Sequence, residues 1–484
     1  MSGSVAAPTA STLVPPARAL PPLSRWSFGL GSIAYGIKDN GFATFLLLYY
    51  NQVLGLSPGA VGLAIMVAMM VEAFVDPMIG FLSDHTRGTW GRRHPWMYGA
   101  ALPVALGWWL LWNPPHWGET ATLAYLCGSA LLVRIALSAF EIPSSALGPE
   151  LSSDYDERTR LFSYRYLFGW VGGLGMLSLA YAVFLVPDAT HAVGLQNGPG
   201  YSRMALFGAV AMAIAIFASS LGLHPEIKHL PKLASSDETV AEHFTAFRQT
   251  IRNKGFLILM AAGLCAYTAQ GVSFALSNYM YQYVWGLKGV DYQWLSLALL
   301  IGAIAAFFLA PRLTRGGDKP RVGAALSVAN AVLICSPYTL RLLGFFPENG
   351  SPVLLPLLLM IWAVNTACGI SAFIIGAAML SDVVEESEMR TGRRSEGVFF
   401  AGSFFVQKMV GGLGIFMSGV LLWIADFPAA AKPGEVPEDV VHRLVLIFVI
   451  LLAVFYGLAS LIYARFPFGR AEHLARLAKM RAGM

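Results

Sequence analysis

Blocks of apolar residues separated by short polar connections recur from one end of the chain to the other. An α-helix rises 1.5 Å per residue and a bilayer's hydrocarbon core is roughly 30 Å thick, so a run of roughly 20 apolar residues is long enough to cross it. Twelve such spans are predicted, at about 27–50, 59–82, 95–113, 121–146, 162–185, 204–223, 256–283, 293–310, 322–343, 353–380, 397–424 and 441–464. The apolar runs of a soluble core are shorter than these. An even number of crossings puts both ends of the chain on one side.

The longest polar connection, residues 224–255 (HPEIKHLPKLASSDETVAEHFTAFRQTIRNK within it), divides the spans six and six. The expected organisation is a disordered tail over 1–23, an N-terminal bundle over 24–223, a linker over 224–255, a C-terminal bundle over 256–465 and a tail over 466–484. The first segment is rich in Ala, Pro and Ser and lacks the apolar core of a signal peptide. In each half the link between the second and third spans is short and basic: SDHTRGTWGRRHP at 83–95 and PRLTRGGDKPR at 311–321. The predicted fold class is an all-α membrane protein with two six-helix bundles. Transporters built from paired halves hold their substrate near the bilayer midplane, at the interface between repeats. A channel or a receptor has no need of matched halves.

Composition agrees with a membrane protein: 56% of the residues are hydrophobic and 13% are charged, against about a quarter charged in soluble domains. The distribution of charge is more informative than its sum. Of 33 Lys and Arg residues, 25 fall on the side of the bundle that carries the linker and the termini, five on the other side and three inside spans. Cytoplasmic loops hold the excess of basic residues, so both termini are expected in the cytoplasm, with the protein in a cell inner membrane. The four cysteines, 127, 265, 335 and 368, sit in apolar segments without CxxC or CxxH spacing, which argues against disulfides and zinc and for a packing role. Nucleic acid is not indicated.

Charge inside a span costs roughly 2.5 to 3.5 kcal/mol on insertion scales, so retained charges face a partner or a wet cavity. Lys38 and Asp39 lie in the first span, Glu72 and Asp76 in the second, Arg134 and Glu141 in the fourth, and Lys408 in the eleventh. Glu72 and Asp76 are spaced i, i+4, which stacks two like charges on one helix face and calls for a cation. Four acids against three bases leave one negative charge, which one proton or one sodium ion would neutralise. Oxygen ligands suit a hard cation, and Ser138 precedes Glu141 by three residues, on nearly the same face. Arg134 is read as a structural interhelical partner. Pro143 follows Glu141 and is expected to kink the fourth span. Arg165, which opens the fifth span, either obeys the charge rule of cytoplasmic loops or reaches up to a carboxylate or a substrate hydroxyl.

With Lys38-Asp39 and VDPMIGFLSDHTRGTWGRRHPW (75–96) in view, the chain resembles the glycoside-pentoside-hexuronide:cation symporter family, the melibiose-permease branch of the major facilitator superfamily. The resemblance covers nearly all of 24–465 and rests also on E-I-P with DERTRL at 141–161, SDVVEESEMRTGRRSEG at 381–397 and QKMVGG at 407–412. It implies the major facilitator fold and cation-coupled symport by alternating access. By position it places Glu72, Asp76, Glu141 and Ser138 in a cation site, with sodium as one candidate ion, and Lys38, Asp39, Glu141, Arg165 and Lys408 in a sugar pocket. Glu141 would serve both ligands, so each would raise the other's affinity by the same factor.

The chain departs from the melibiose permease in several places. Val75 stands where that permease has a polar amide, and Glu replaces Asp at 72 and 141, so H+ and Na+ both remain open as coupling ions. Ser145 and Leu137 stand where it has a Trp and a Tyr, so the aromatic platform for a galactoside is missing and the exact sugar is not inherited. Seventh-span residues Tyr267, Gln270, Asn278, Tyr281 and Gln282 mix ring and amide groups suited to hydroxyl-rich ligands. Of these Gln270 is the substrate-binding candidate, with Asn365 a weaker one; Tyr281, Gln282, Tyr283 and Trp285 also fit an interfacial belt.

Asp84, Arg87, Arg92 and Arg93 after the second span, and Glu385, Glu386, Glu388, Arg390, Arg393 and Arg394 before the eleventh, put both signs on the expected cytoplasmic rim as gating candidates. No nucleophile–base pair, Walker A motif or metal-hydrolase spacing marks an enzyme. The expected partners are a glycoside or sugar-like solute, a coupling cation and the lipid bilayer, with no cofactor, and the expected state is a monomer. One alternative is a symporter of a lysolipid or other amphiphile. Another is a transporter-like solute sensor, for which the C-terminal RFPFGRAEHLARLAKMRAGM leaves little room.

Overall fold

The computed structural model describes residues 20–152, 155–230, 253–314, 318–391, 396–432 and 434–466. The first span is a run of short pieces: α1 (Pro22–Leu30), α2 (Ser32–Asn40), a π-helical turn Gly41–Phe45, and a second π-helical turn Tyr49–Val53. Then follow α3 (Pro58–His85), α4 (His94–Leu111), α5 (Glu119–Leu151), α6 (Tyr155–Leu179) and α7 (Gly198–Leu223). The second half comprises α8 (Lys254–Tyr279), α9 (Gly289–Thr314), α10 (Lys319–Leu342), α11 (Leu354–Thr391), α12 (Glu396–Ile424) and α13 (Glu438–Ala464). Among the described residues, ten helices are long and apolar enough to cross a membrane, and the chain is a multi-pass membrane protein. The broken first span and the 18-residue α4 are the two expected spans that this criterion leaves out. Helix is the natural state of such segments, because lipid offers no partner for an unpaired backbone N–H or C=O.

Several boundaries differ from those read off the sequence. Helix α1 starts at Pro22, inside the stretch assigned to the tail, with proline where a missing N–H costs nothing. Helix α5 runs on through Pro143 and Pro149 to Leu151 instead of ending near 146. Residues 224–229 of the expected linker form a 3-10 turn, His224–His229, and 231–252 lie outside the described residues.

Within the first half, α4 packs on α5 and α7, α3 on α5, α2 on α6, and α1 on α6 and α7. Within the second, α9 packs on α11, α10 on α11 and α13, and α8 on α12 and α13. The halves meet where α3 lies along α12, α6 touches α9, and α8 touches the turn Gly41–Phe45. Close approach is made possible by absent side chains. A Cβ on Gly36 would run into the backbone of Gly169 and Gly173 in α6, and one on Gly419 of α12 into the backbone of Pro58.

The first span of each half ends in a π-helical turn at the same end of the molecule, Tyr49–Val53 in one and Met280–Val284 in the other. Such turns re-aim side chains and gather at functional places. This end, expected from the charge distribution to lie outside, is the outer face; the end carrying Leu20 and Phe466 is the basic face.

Candidate functional site

Glu72 and Asp76 lie one turn apart on α3, as their spacing requires, and their mutual repulsion is answered by cations from other elements. Arg134 of α5 donates to Glu72 Oε2. Lys408 of α12 donates to Glu72 Oε1 at 3.0 Å and also to Asp76 Oδ2. Ser138, one turn on from Arg134, donates its hydroxyl to Glu72 Oε1 at 3.4 Å. Arg134 and Glu72 are each 2% exposed, and the guanidinium lies 4.4 Å from the centre of the Phe42 ring. Lys408 comes from the opposite half of the molecule, so the acid pair is held across the interface by a side chain 332 positions from Asp76.

Lys38 is also 2% exposed. Its ammonium sits 4.7 Å from the Tyr35 ring and within electrostatic reach of Glu72, Arg134, Asp39 and Lys408. The neighbouring Asp39 turns to a surface that the protein does not cover. A second ion pair lies further along α5: Arg165 Nη2 donates to Glu141 Oε1 at 2.5 Å while Nη1 donates to Ser144 Oγ at 2.8 Å. Arg165 is 7% exposed and packs over Phe28. Helix α5 continues through Pro143 beside Glu141, and Ser144 of that turn accepts from Arg165.

Of the cation-site candidates, Glu72, Asp76 and Ser138 thus gather around Lys408, whereas Glu141 lies apart and pairs with Arg165. Two carboxylate oxygens, Asp76 Oδ1 and Glu141 Oε2, are buried and have no hydrogen-bond partner. Unspent buried oxygens of this kind, with the Ser138 hydroxyl nearby, suit a proton or a hard cation.

Between the halves lies a cavity of about 160 Å³, lined by the amides of Asn40, Gln270, Asn330 and Asn365 and the rings of Trp170, Tyr181, Tyr281 and Trp362, with Thr44, Ser273 and Ser277 among its hydroxyls. Gln270 and Asn365 therefore face the cavity, whereas Lys38, Asp39, Glu141, Arg165 and Lys408 are not among its lining residues. Asn278 is committed elsewhere: it accepts from the Tyr181 hydroxyl at 2.7 Å and donates to the Thr44 carbonyl at 3.1 Å.

Toward the outer face the halves are joined by a polar network with no counterpart in the expectations drawn from sequence. Gln52 accepts from the backbone N–H of Ala431 at 2.8 Å and from the Tyr283 hydroxyl at 3.1 Å, and donates to the Pro428 carbonyl at 3.2 Å. Tyr279 donates to Asn51 Oδ1 at 2.7 Å, and Tyr283 also donates to the Ala431 carbonyl at 2.8 Å. Four of these bonds join the first half to the second, and Tyr283–Ala431 ties the turn Met280–Val284 to the α12–α13 loop within the second half. Tyr281, Gln282, Tyr283 and Trp285 accordingly do not form an interfacial belt: Trp285 is 2% exposed, and Tyr281 packs edge-on against Trp362. On the outer side of Tyr181 a second cavity of about 520 Å³ is lined by Gln282, Lys288 and Tyr292.

At the basic face the described ion pairs stay within a half. Arg93 bonds to Asp84, to Glu150 at 3.1 Å and to Ser83 Oγ at 2.8 Å, and Arg92 bonds to Glu150 at 2.7 Å. In the second half Lys319 bonds to Asp382 at 2.7 Å and Asn253 to Glu386 at 2.8 Å. Arg87 and Glu385 are exposed there. Arg393 and Arg394 lie outside the described residues.

The family described as MFS/sugar transport protein matches residues 27–470. An uncharacterised symporter of Synechocystis, sll1374, is 26% identical, with 93% of this chain and 95% of that protein aligned. The isoprimeverose transporter of Lactiplantibacillus pentosus is 23% identical over 84% of this chain and 81% of its own. The solved structure of a D-xylose-proton symporter superposes with a TM-score of 0.62 at 12% identity, covering 92% of this chain and 97% of that one, which establishes a shared fold.

Proposed function

The chain belongs to the MFS/sugar transport protein family, and we propose that it is a secondary active transporter which couples uptake of a glycoside or other sugar-like solute to the entry of H+ or Na+ by alternating access. It is a transporter and not an enzyme. All twelve spans cross a bacterial inner membrane in this reading, with both termini in the cytoplasm, because Lys and Arg are concentrated at the basic face.

The observation that carries the proposal is the Lys408 ammonium of one half bonded to both acids of the other. In the state described, the acids at depth are neutralised by the protein's own cations. A coupling ion that binds Glu72 and Asp76 competes with Lys408, so its arrival loosens a tie between the halves and its departure restores it. Binding energy that differs between two states is what shifts their populations. With Gln52 and Tyr279 joining the halves at the outer face, the state is inward-facing in this reading. Cation and solute leave to the cytoplasm and Lys408 reclaims the acids, which gives the state described here; the halves rock back when that tie is given up. The Glu141–Arg165 pair, with one carboxylate oxygen unspent, stands further along the same helix as a second place where charge is exchanged.

The test is solute uptake into proteoliposomes under a sodium gradient alone and under a proton gradient alone. Stimulation by one of them is expected, and stimulation by neither removes the symport reading. Asp76→Asn should abolish gradient-driven accumulation while leaving the protein folded; full accumulation by this variant would contradict the assignment.

A further inference from the structure

On the outer side of Tyr181 lies the cavity of about 520 Å³, which takes no part in the proposed cycle; its size is in the range of sites that receive small molecules. One wall comes from the first half, where Leu185 and Leu195 bound a loop, and the other from the second, with Gln282, Lys288, Tyr292 and Asn349. Tyr181 separates it from the central cavity and lines both. The Tyr181 hydroxyl donates to Asn278 of α8 at 2.7 Å, so the floor is itself a bond between the halves. Lys288 and Pro187 are exposed at the rim, whereas Gln282 and Tyr292 are buried.

Gln282 and Tyr292 are each 5% exposed. The Gln282 amide has no partner for its oxygen or its nitrogen, and the Tyr292 hydroxyl has none either. Folded proteins rarely leave such groups unsatisfied. Together they present a donor, an acceptor and a group that is both, which is what hydroxyls on a ligand require. Asn349 shows the contrast: its oxygen accepts from Arg341 at 2.8 Å and its nitrogen donates to the Val284 carbonyl at 3.0 Å. Lys288 adds charge. It is the one charged residue among those lining the cavity, and Asp291 accepts from its backbone N–H at 2.8 Å without pairing with its ammonium. An ammonium that makes no ion pair among the described residues, with no acid in the lining, calls for an anionic group such as a carboxylate.

We propose that this outer cavity is a regulatory site for a small hydroxylated carboxylate, of which an aldonate is the pattern. The ligand enters from outside, sets its carboxylate against Lys288 and exchanges hydrogen bonds between its hydroxyls and Gln282 and Tyr292. Because the two walls belong to different halves, the site is whole only while the outer face is closed. A ligand shifts an equilibrium by its differential affinity for the two states, so occupancy holds the closed arrangement and slows turnover from outside. The binding chemistry stands on the cavity alone, and the effect on turnover rests on the alternating-access reading.

The experiment has two parts. Isothermal titration of the purified protein with sodium gluconate should show saturable binding. Sorbitol, which lacks the carboxylate, and sodium acetate, which lacks the hydroxyls, should bind roughly tenfold more weakly or worse, the effect of one lost polar contact. Gln282→Leu, and Lys288→Gln at its exposed position where the fold is not at stake, should each weaken gluconate by roughly the same factor. No saturable gluconate binding, or binding unchanged in Lys288→Gln, overturns the site. The second part reads a Ser277→Cys reporter, in a background without the four native cysteines, with an impermeant maleimide. External gluconate should slow labelling of intact cells by roughly threefold or more, and Lys288→Gln should remove that effect. Labelling from the cytoplasmic side of inside-out vesicles loaded with gluconate should be undiminished. Unchanged or faster labelling from outside overturns the regulatory role, and slowing from both sides overturns it by placing gluconate in the central cavity. Neither part needs a transported solute, so failure of gradient-driven uptake would remove the symport reading and leave the gluconate site standing.

Discussion

Arg134 bears on Glu72 differently from Lys408. The guanidinium is buried in the same half as the acid and stacked on Phe42, so it is a fixed counter-ion. The ammonium crosses from the other half, so its bond depends on how the halves are arranged. Removing one member of a buried ion pair strands the other and typically costs about 3–5 kcal/mol. Arg134→Met should therefore lower the thermal stability of the purified protein by a cost of that order, and Glu72→Gln combined with Arg134→Met should restore much of it. A single Arg134→Met variant as stable as the parent would mean that the pair carries no such load. Lys408→Gln should behave otherwise: stability changes little, whereas the acids, freed of their competitor, bind the coupling ion more tightly and gradient-driven accumulation fails. The positions of Glu72, Asp76, Arg134 and Lys408 were legible in the sequence because charge in an apolar run is conspicuous, and the i, i+4 spacing of the acids revealed their shared face. Their partners were not legible. Spacing within one helix says nothing of which side chain meets it from a helix more than three hundred positions away, and Lys408, assigned by resemblance to the sugar pocket, turns out to bond to the acids. Gln52, Tyr279 and Tyr283 were illegible for a different reason: amides and phenols at the end of a span look like an interfacial belt until the partner loop around Ala431 is seen.

At the scale of the helices, small residues decide how closely elements approach. Gly36 of α2 faces Gly169 and Gly173, four positions apart on α6, and any side chain at 36 would press on their backbone, which cannot yield as a flexible side chain can. Gly128, on α5, has nothing within 4 Å of where its Cβ would lie. Gly36→Ala should prise α2 from α6, lower thermal stability and carry Lys38 away from Glu72, with a loss of uptake. Gly128→Ala should be neutral or stabilising by about 0.5–1 kcal/mol, the usual gain from alanine in a helix interior. Thermal unfolding of the two variants side by side checks this, and equal effects would mean that the α2–α6 contact is loose enough to admit a methyl group. The helix pattern itself was plain in the apolar blocks, but the breaks were not: nothing in the hydropathy of 22–53 marks the π-helical turns, and the fourth span, expected to end near 146, runs on to Leu151 because lipid-buried bundles tolerate proline where neighbouring groups reoccupy the freed backbone.

The whole molecule is held in one of its states by bonds concentrated at one face. Gln52 alone makes three hydrogen bonds to the second half, to Tyr283, Pro428 and Ala431. At about 0.5–1.5 kcal/mol each, their loss in Gln52→Ala would favour the outward-open arrangement by about 2–4 kcal/mol, enough to shift the balance between states by a factor of roughly 30 or more. The cavity hydroxyl Ser277 provides the reporter. In a background with Cys127, Cys265, Cys335 and Cys368 replaced, Ser277→Cys should react with a membrane-impermeant maleimide from the cytoplasmic side of inside-out vesicles, and slowly from the outside of intact cells. Adding Gln52→Ala should raise the outside rate by about tenfold or more and lower the inside rate. The two rates moving in opposite directions is the signature of a rocking equilibrium; both rising together would mean that the seal had merely been breached. Because Lys408 ties the halves only while it holds Glu72 and Asp76, a saturating coupling ion should move the labelling of the otherwise unaltered reporter in the same direction as Gln52→Ala, and Asp76→Asn should make the labelling insensitive to that ion.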